Sequence, residues 1–314
     1  MGRRIQIMLE YYYPWPNSAG LYAAREKGLY SRNGLDVDFA LFDAGRGDTL
    51  TYLAAGDADF GLFPMNRLLV LEEKRPSVVS IAAVNHRAME TIQTVRGKGV
   101  TRPRDLEGRK IGLAPTPRGL AMVRTLIAAD GGDPDAVGIF DTGAREWLAR
   151  DIRDAGPDEP SATFGTYWAW DVLIDRTVPD EDRIIWPVDE IGAPKFHSYL
   201  LGARRDIAAS EPETVRAFTE ATVRGYDEVR KDPDFAVFLY AKVAPYLPAE
   251  AVRKSVGLLI PTWYPQGTAD FVFGTHNAAF FDEYADWLAA NGILKDANIR
   301  RTSYTNEFLP KGDA

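Results

Sequence analysis

Two stretches of this chain gather side chains suited to holding a flat molecule. "LEYYYPWPNSAG", residues 9–20, sets Tyr11, Tyr12, Tyr13 and Trp15 close together, with Glu10 and Asn17 beside them. "TYWAWD", residues 166–171, sets Tyr167, Trp168 and Trp170 just ahead of Asp171. A planar ligand gains about 0.5–1.5 kcal/mol per aromatic contact beyond burial, and phenol and indole groups need polar partners once dry. A core uses the same rings, so each ring taken alone reads equally as packing or as binding. Taken as groups, the rings favour binding.

The polar candidates carry the same double reading. Asn66 and Arg67 follow the segment "GLFPM"; Arg67 suits a bidentate grip on a carboxylate, phosphate or sulfonate, or a surface ion pair at a helix start. Asn85 and His86 end the next apolar run and either line a site or form a hinge. Thr116 and Arg118 stand where a strand meets a helix, a natural anion position, although a plain N-cap explains Thr116 as well. Glu190 can accept hydrogen bonds from ring nitrogens or an amine, or be an exposed hinge acid. His197 reads first as a satisfied polar residue and second as a ligand contact.

Enzymatic motifs are missing. The histidines, His86, His197 and His276, lie far apart in sequence, with no HExxH pair and no carboxylate cluster at metal spacing, so neither a metal nor a cofactor is expected. GxSxG is absent, and GxGxxG is absent where a nucleotide-binding strand would need it. "AGRGD", residues 44–48, is a turn without the Lys-Ser/Thr end of a phosphate loop. No cysteine is present, which removes disulfides, thiolate metal sites and a cysteine nucleophile.

The elements that must position these residues follow from length and periodicity. A chain of 314 residues exceeds one small core and suits two lobes. Its 46% apolar and 26% charged content supports packed cores, and a net charge of -8 with mixed signs argues against a nucleic-acid surface. No apolar run approaches a membrane span, and the opening "MGRRIQIMLEYYY" is too short for a signal-peptide core, so the chain as written is expected in the cytoplasm. A leader removed and replaced by Met1-Gly2 would instead place it in the periplasm or at the cell surface.

"RIQIML" and "LDVDFALF" alternate as strands around the helical "SAGLYAAREKGLYSRNG", with Ser18 as its N-cap and Gly34 as its stop. Further strands are expected in "DADFGLF", "SVVSIAAVN" and "KIGLA", and a short one in "SATF"; residues from 211 onward are mostly amphipathic helix. This alternation is α/β and favours parallel sheets. "RDAGPDEPSA" reads as a flexible surface loop.

In order and wording these segments resemble the type II periplasmic binding proteins, in the branch holding nitrate-, sulfonate- and taurine-type receptors and thiamine-pyrimidine precursor proteins. "SAGLYAAREKGLYSRNGLDVDF", "LAAGDADFGLF", "RDLEGRKIGL", "SEPETVRAFTEATVRGYDEVRKDP" and "YTNEFLP" carry the likeness across nearly the whole chain. The resemblance implies an α/β fold of two lobes, residues 1–89 with 198–314 and residues 90–197, with crossings near Asn85 to Gln93 and Asp189 to Tyr199. It also implies a hinged cleft that captures a small, planar, nitrogen-containing molecule, with an ABC-type importer permease as partner.

The site residues this implies are Glu10, Tyr12, Tyr13, Trp15, Asn17, Asn66, Arg67, Asn85, Thr116, Arg118, Tyr167, Trp168, Trp170, Glu190 and His197. Where the family's opening loop commonly has Asp-Trp-x-Pro-Asn and a His before Ala-Gly, this chain has Glu10 and Ser18. The alternative within the same resemblance is a cytoplasmic enzyme, related to thiamine-pyrimidine synthases or to cleft lyases and dehydratases. The synthases use a lysine and a histidine near the third strand, and "FGLFPMNRLL" has neither.

Overall fold

The computed structural model describes residues 2–11, 14–143, 145–265 and 271–311. These contain β1 (Arg3–Met8), β2 (Leu35–Ala40), β3 (Phe60–Pro64), β4 (Val78–Ala83), β5 (Glu90–Val95), β6 (Lys110–Leu113), β7 (Gly138–Asp141), β8 (Ala162–Tyr167), β9 (Arg183–Pro187) and β10 (Tyr199–Arg204). The chain divides into two compact units, one made of residues 1–87 and 196–314, the other of residues 88–195.

The sheet of the first unit has the order β2-β1-β3-β10-β4. β1 lies parallel to β2 and β3 because the helices Ala19–Glu26 and Thr49–Ala55 carry the chain back between them. Alternation in β1 buries Ile5 and Ile7 completely. β10 runs antiparallel to β3 and β4, so its start, Tyr199, pairs with Pro64 at the end of β3. The carboxyl ends of β1, β3 and β4 and the amino end of β10 therefore share one edge of this sheet.

Two glycines fix how the opening loop is held. A Cβ on Gly20 would lie 2.2 Å from the Tyr226 ring, and one on Gly225 would lie 2.1 Å from the Gly20 carbonyl oxygen. Only glycine at both positions lets the helix Ala19–Glu26 press directly onto the helix Pro212–Lys231. That contact anchors the residues just before Ala19.

The second unit has the order β7-β6-β8-β5-β9, with β6 parallel to β7 and β8 and with β5 antiparallel to β8 and β9. Its crossovers are the helices Pro117–Ala129 and Ala149–Asp154. The segment expected to form a crossing as far as Gln93 is already strand from Glu90 onward, because "ETIQTV" pairs on both sides. Beyond β10 and the short helix Arg205–Ser210, the helices Pro212–Lys231, Pro233–Val243, Ala249–Trp263 and Ala278–Ala290 dominate the remaining chain. Among the described residues no helix is long and apolar enough to cross a membrane.

Candidate functional site

β1 delivers Glu10 to the carboxyl end of its sheet, where open α/β sheets bind ligands. Glu10 is buried, and the Ser18 hydroxyl donates to it, 3.0 and 2.9 Å from the two carboxyl oxygens. Ser18 does occupy the N-cap position of the helix Ala19–Glu26, but its hydroxyl makes no capping bond and serves Glu10 instead. Burial pushes the Glu10 carboxyl up to about 7, while hydrogen bonds from the nearby backbone and from Ser18 hold that rise back.

The pH dependence has a definite sign. The folded state keeps the Glu10 proton up to about pH 7, whereas the unfolded chain releases it near 4.5. Its contribution to stability is therefore complete below pH 4.5 and is lost as pH rises through 7. Relative to wild type, Glu10→Gln should gain about 3 kcal/mol in unfolding free energy between pH 4.5 and pH 8. Urea unfolding of both proteins across that range measures the gain; a pH-independent difference would mean that Glu10 is solvated.

The rest of the opening loop divides. Tyr12 and Tyr13 lie outside the described residues. Trp15 is 1% exposed, edge-on to Tyr11 and Tyr199, and its carbonyl accepts the Tyr240 hydroxyl, so its ring belongs to the core.

Asn17 is also fully buried. Its amide exchanges hydrogen bonds with Asn85 at 3.1 and 2.9 Å, its side-chain oxygen also accepts from the Trp263 indole at 3.0 Å, and Asn85 donates to Thr262 at 2.7 Å. Asn17 and Asn85 were expected to contact ligand; the structure spends both amides fastening the opening loop to the helix Ala249–Trp263.

His197 is likewise assigned to the interior. Its Nε2 accepts from the Asn277 backbone N–H at 3.1 Å, and its Nδ1 lies 3.2 Å from the Asn85 carbonyl oxygen, which fixes the proton on Nδ1. The rings of His86 and His276 stand edge-on to it at 4.9 and 6.2 Å, so histidines far apart in sequence share one cluster. Burial lowers all of them, His86 to about 4 and His276 to about 3. Among the described residues no group of His, Asp and Glu is arranged to hold a metal.

Asn66 is half-buried at the second position of the helix Met65–Lys74. Arg67 is exposed and pairs with Asp48 at 2.9 Å, a surface ion pair at the helix start. Asp48 also caps the helix Thr49–Ala55.

In the second unit Thr116 is exposed and acts as an N-cap, accepting the Gly119 N–H at 3.1 Å. Arg118 pairs with Glu90, a residue the sequence reading did not single out. Its only sequence signal is an acid at the head of the alternating "ETIQTV". Because β5 is antiparallel to β8, Glu90 stands directly opposite Tyr167 at the carboxyl edge of β8.

Tyr167 and Trp168 are half-buried, whereas Trp170 is buried. Asp171 is buried too and accepts from Arg183 at 2.7 Å; Arg183 also meets Asp175 at 3.5 Å. Burial raises the Asp171 carboxyl against the pull of that guanidinium. Glu190 is exposed in the turn Val188–Glu190. One edge of this unit thus carries half-buried aromatic rings beside a carboxylate and a guanidinium, a combination that can stack a ring and bond its edge.

Two α/β units with mixed sheets of this topology define the two-lobe type II periplasmic-binding-protein fold. Solved structures with that fold align along nearly the whole chain. The alkanesulfonate-binding protein SsuA from Xanthomonas axonopodis pv. citri bound to MOPS has a TM-score of 0.69 at 14% identity, covering 96% of this chain and 98% of that one. The aliphatic sulphonate binding protein SsuA from Escherichia coli has a TM-score of 0.68 at 16% identity, covering 97% and 93%. The chain belongs to the NMT1/THI5 like family, whose profile matches residues 15–236. It is 25% identical over 309 residues to a formylaminopyrimidine-binding protein of Halalkalibacterium halodurans, covering 96% of this chain and 89% of the relative.

Proposed function

We propose that this chain is the solute-binding protein of an ABC-type importer and captures a small, planar, nitrogen-containing molecule. The observation that carries this reading is the set of half-buried rings of Tyr167 and Trp168 beside the Glu90–Arg118 pair, at the strand edge where such folds bind ligands. The first unit carries, at the carboxyl end of β1, a buried and readily protonated carboxyl of its own, Glu10. Family membership and similarity along most of its length to a formylaminopyrimidine-binding protein support the same class of ligand. The partner this requires is a membrane-spanning permease, and the location we propose is the outer side of the membrane that the permease crosses.

A thermal-shift panel of pyrimidines, flavins, amines and sulfonates tests the reading. A nitrogen heterocycle should raise the melting temperature, and Trp168→Ala should weaken its binding by at least about tenfold. If no member of the panel raises the melting temperature and one is instead consumed with turnover, the receptor reading fails and an enzyme takes its place.

A further inference from the structure

We propose that Glu90 sets the ligand's chemical class: one carboxylate oxygen neutralises Arg118, and the other accepts an N–H from the ligand, so this face takes nitrogen-donor rings and turns anions away. The inference rests on the solute-binding reading above.

The geometry comes from the strand pairing. Glu90 and Tyr167 are direct partners in the antiparallel ladder of β5 and β8. Such partners carry their side chains on one face of the sheet, with Cβ atoms about 5 Å apart. A ring stacked on Tyr167 therefore brings its edge to the Glu90 carboxylate.

The two oxygens of that carboxylate differ. Oε1 binds Arg118, with the two side chains only 14% and 12% exposed. Oε2 is buried and has no hydrogen-bond partner among the described residues. A shielded carboxylate oxygen without a donor is costly, and the group that satisfies it is an N–H or a cation. An anionic ligand would meet it with repulsion at short range.

Three arginines near the candidate residues follow one pattern. Arg118 is met by Glu90, Arg67 by Asp48, and Arg183 by Asp171 and Asp175. Each of these three guanidiniums carries a carboxylate of the same unit, so none of the three presents an uncompensated charge. The N–H donor class follows from this compensation together with the bare Oε2.

Isothermal titration with 4-aminopyrimidine and ethanesulfonate as probes tests the proposal on wild type, Glu90→Gln, Glu90→Asp and Tyr167→Ala. Wild type should bind the amine and not the sulfonate. Glu90→Gln keeps an oxygen for Arg118 but turns an NH2 toward the ligand, so amine affinity should fall by at least about tenfold, and Arg118, its charge no longer neutralised by Glu90, should admit the sulfonate. Glu90→Asp keeps the charge but withdraws the oxygen, and should lose the amine without gaining the sulfonate. Tyr167→Ala should also lose the amine alone.

If Tyr167→Ala loses the amine while both Glu90 variants keep it, the role of Glu90 is overturned and the receptor reading stands. A wild type that prefers the sulfonate, or binds neither probe, overturns the Glu90 proposal and also counts against the ligand class of the receptor reading.

Discussion

Trp15→Ala is expected to lower the unfolding free energy by about 3–5 kcal/mol, the cost of deleting a large aromatic ring from a packed interior. The ring is 1% exposed and edge-on to Tyr11 and Tyr199 at 5.8 and 6.1 Å, so its removal leaves a cavity in a packed interior. Its backbone carbonyl still accepts the Tyr240 hydroxyl, which holds the loop in place around the void. Urea unfolding measures the loss. Unchanged stability with a tenfold loss of ligand affinity would return Trp15 to the binding wall.

Arg183→Met is expected to cost a similar amount, about 3–5 kcal/mol, through a different cause. The Arg183 side chain is 5% exposed and serves Asp171 at 2.7 Å and Asp175 at 3.5 Å, and it donates to the Asp175 and Val178 carbonyl oxygens as well. Without it, Asp171 is left buried with neither oxygen bonded among the described residues, because its Oδ1 already has no hydrogen-bond partner there. The carboxyl, raised by burial even with Arg183 present, would rise further and take up a proton. The loss should therefore be larger at about pH 8 than at about pH 5. Parallel urea melts at the two pH values check this, and an equal loss at both would rule out an unpaired charge as the origin.

How much of this was legible in the sequence depends on how far apart the interacting groups lie. The alternation of "RIQIML" and "LDVDFALF" and the helices after residue 211 were readable because their signals are local. β10 was not, because "YLLGAR" is buried on both faces and shows no polar alternation. β5 was read in part as a crossing because its charged start, Glu90, looks like loop until its ladder partner Tyr167 is known.

The site shows the same limit more sharply. The ring-rich turn with Tyr167 and Trp168 could be singled out by composition, but composition cannot separate a half-buried ring from a core ring, and Trp15 is buried. Asn17 and Asn85, like Arg118 and Glu90, are distant in sequence and become partners only through the fold. Ser18 was read as a cap from its position, yet its hydroxyl serves a carboxylate that β1 delivers beside it.

Native mass spectrometry of the purified protein, with the bound molecule released and identified, shows what the protein captures. A single small nitrogen-containing ring compound is expected, one that rebinds unaltered and competes with 4-aminopyrimidine. A bound sulfonate or other anion, or a compound that returns chemically changed after incubation with the protein, would contradict that expectation.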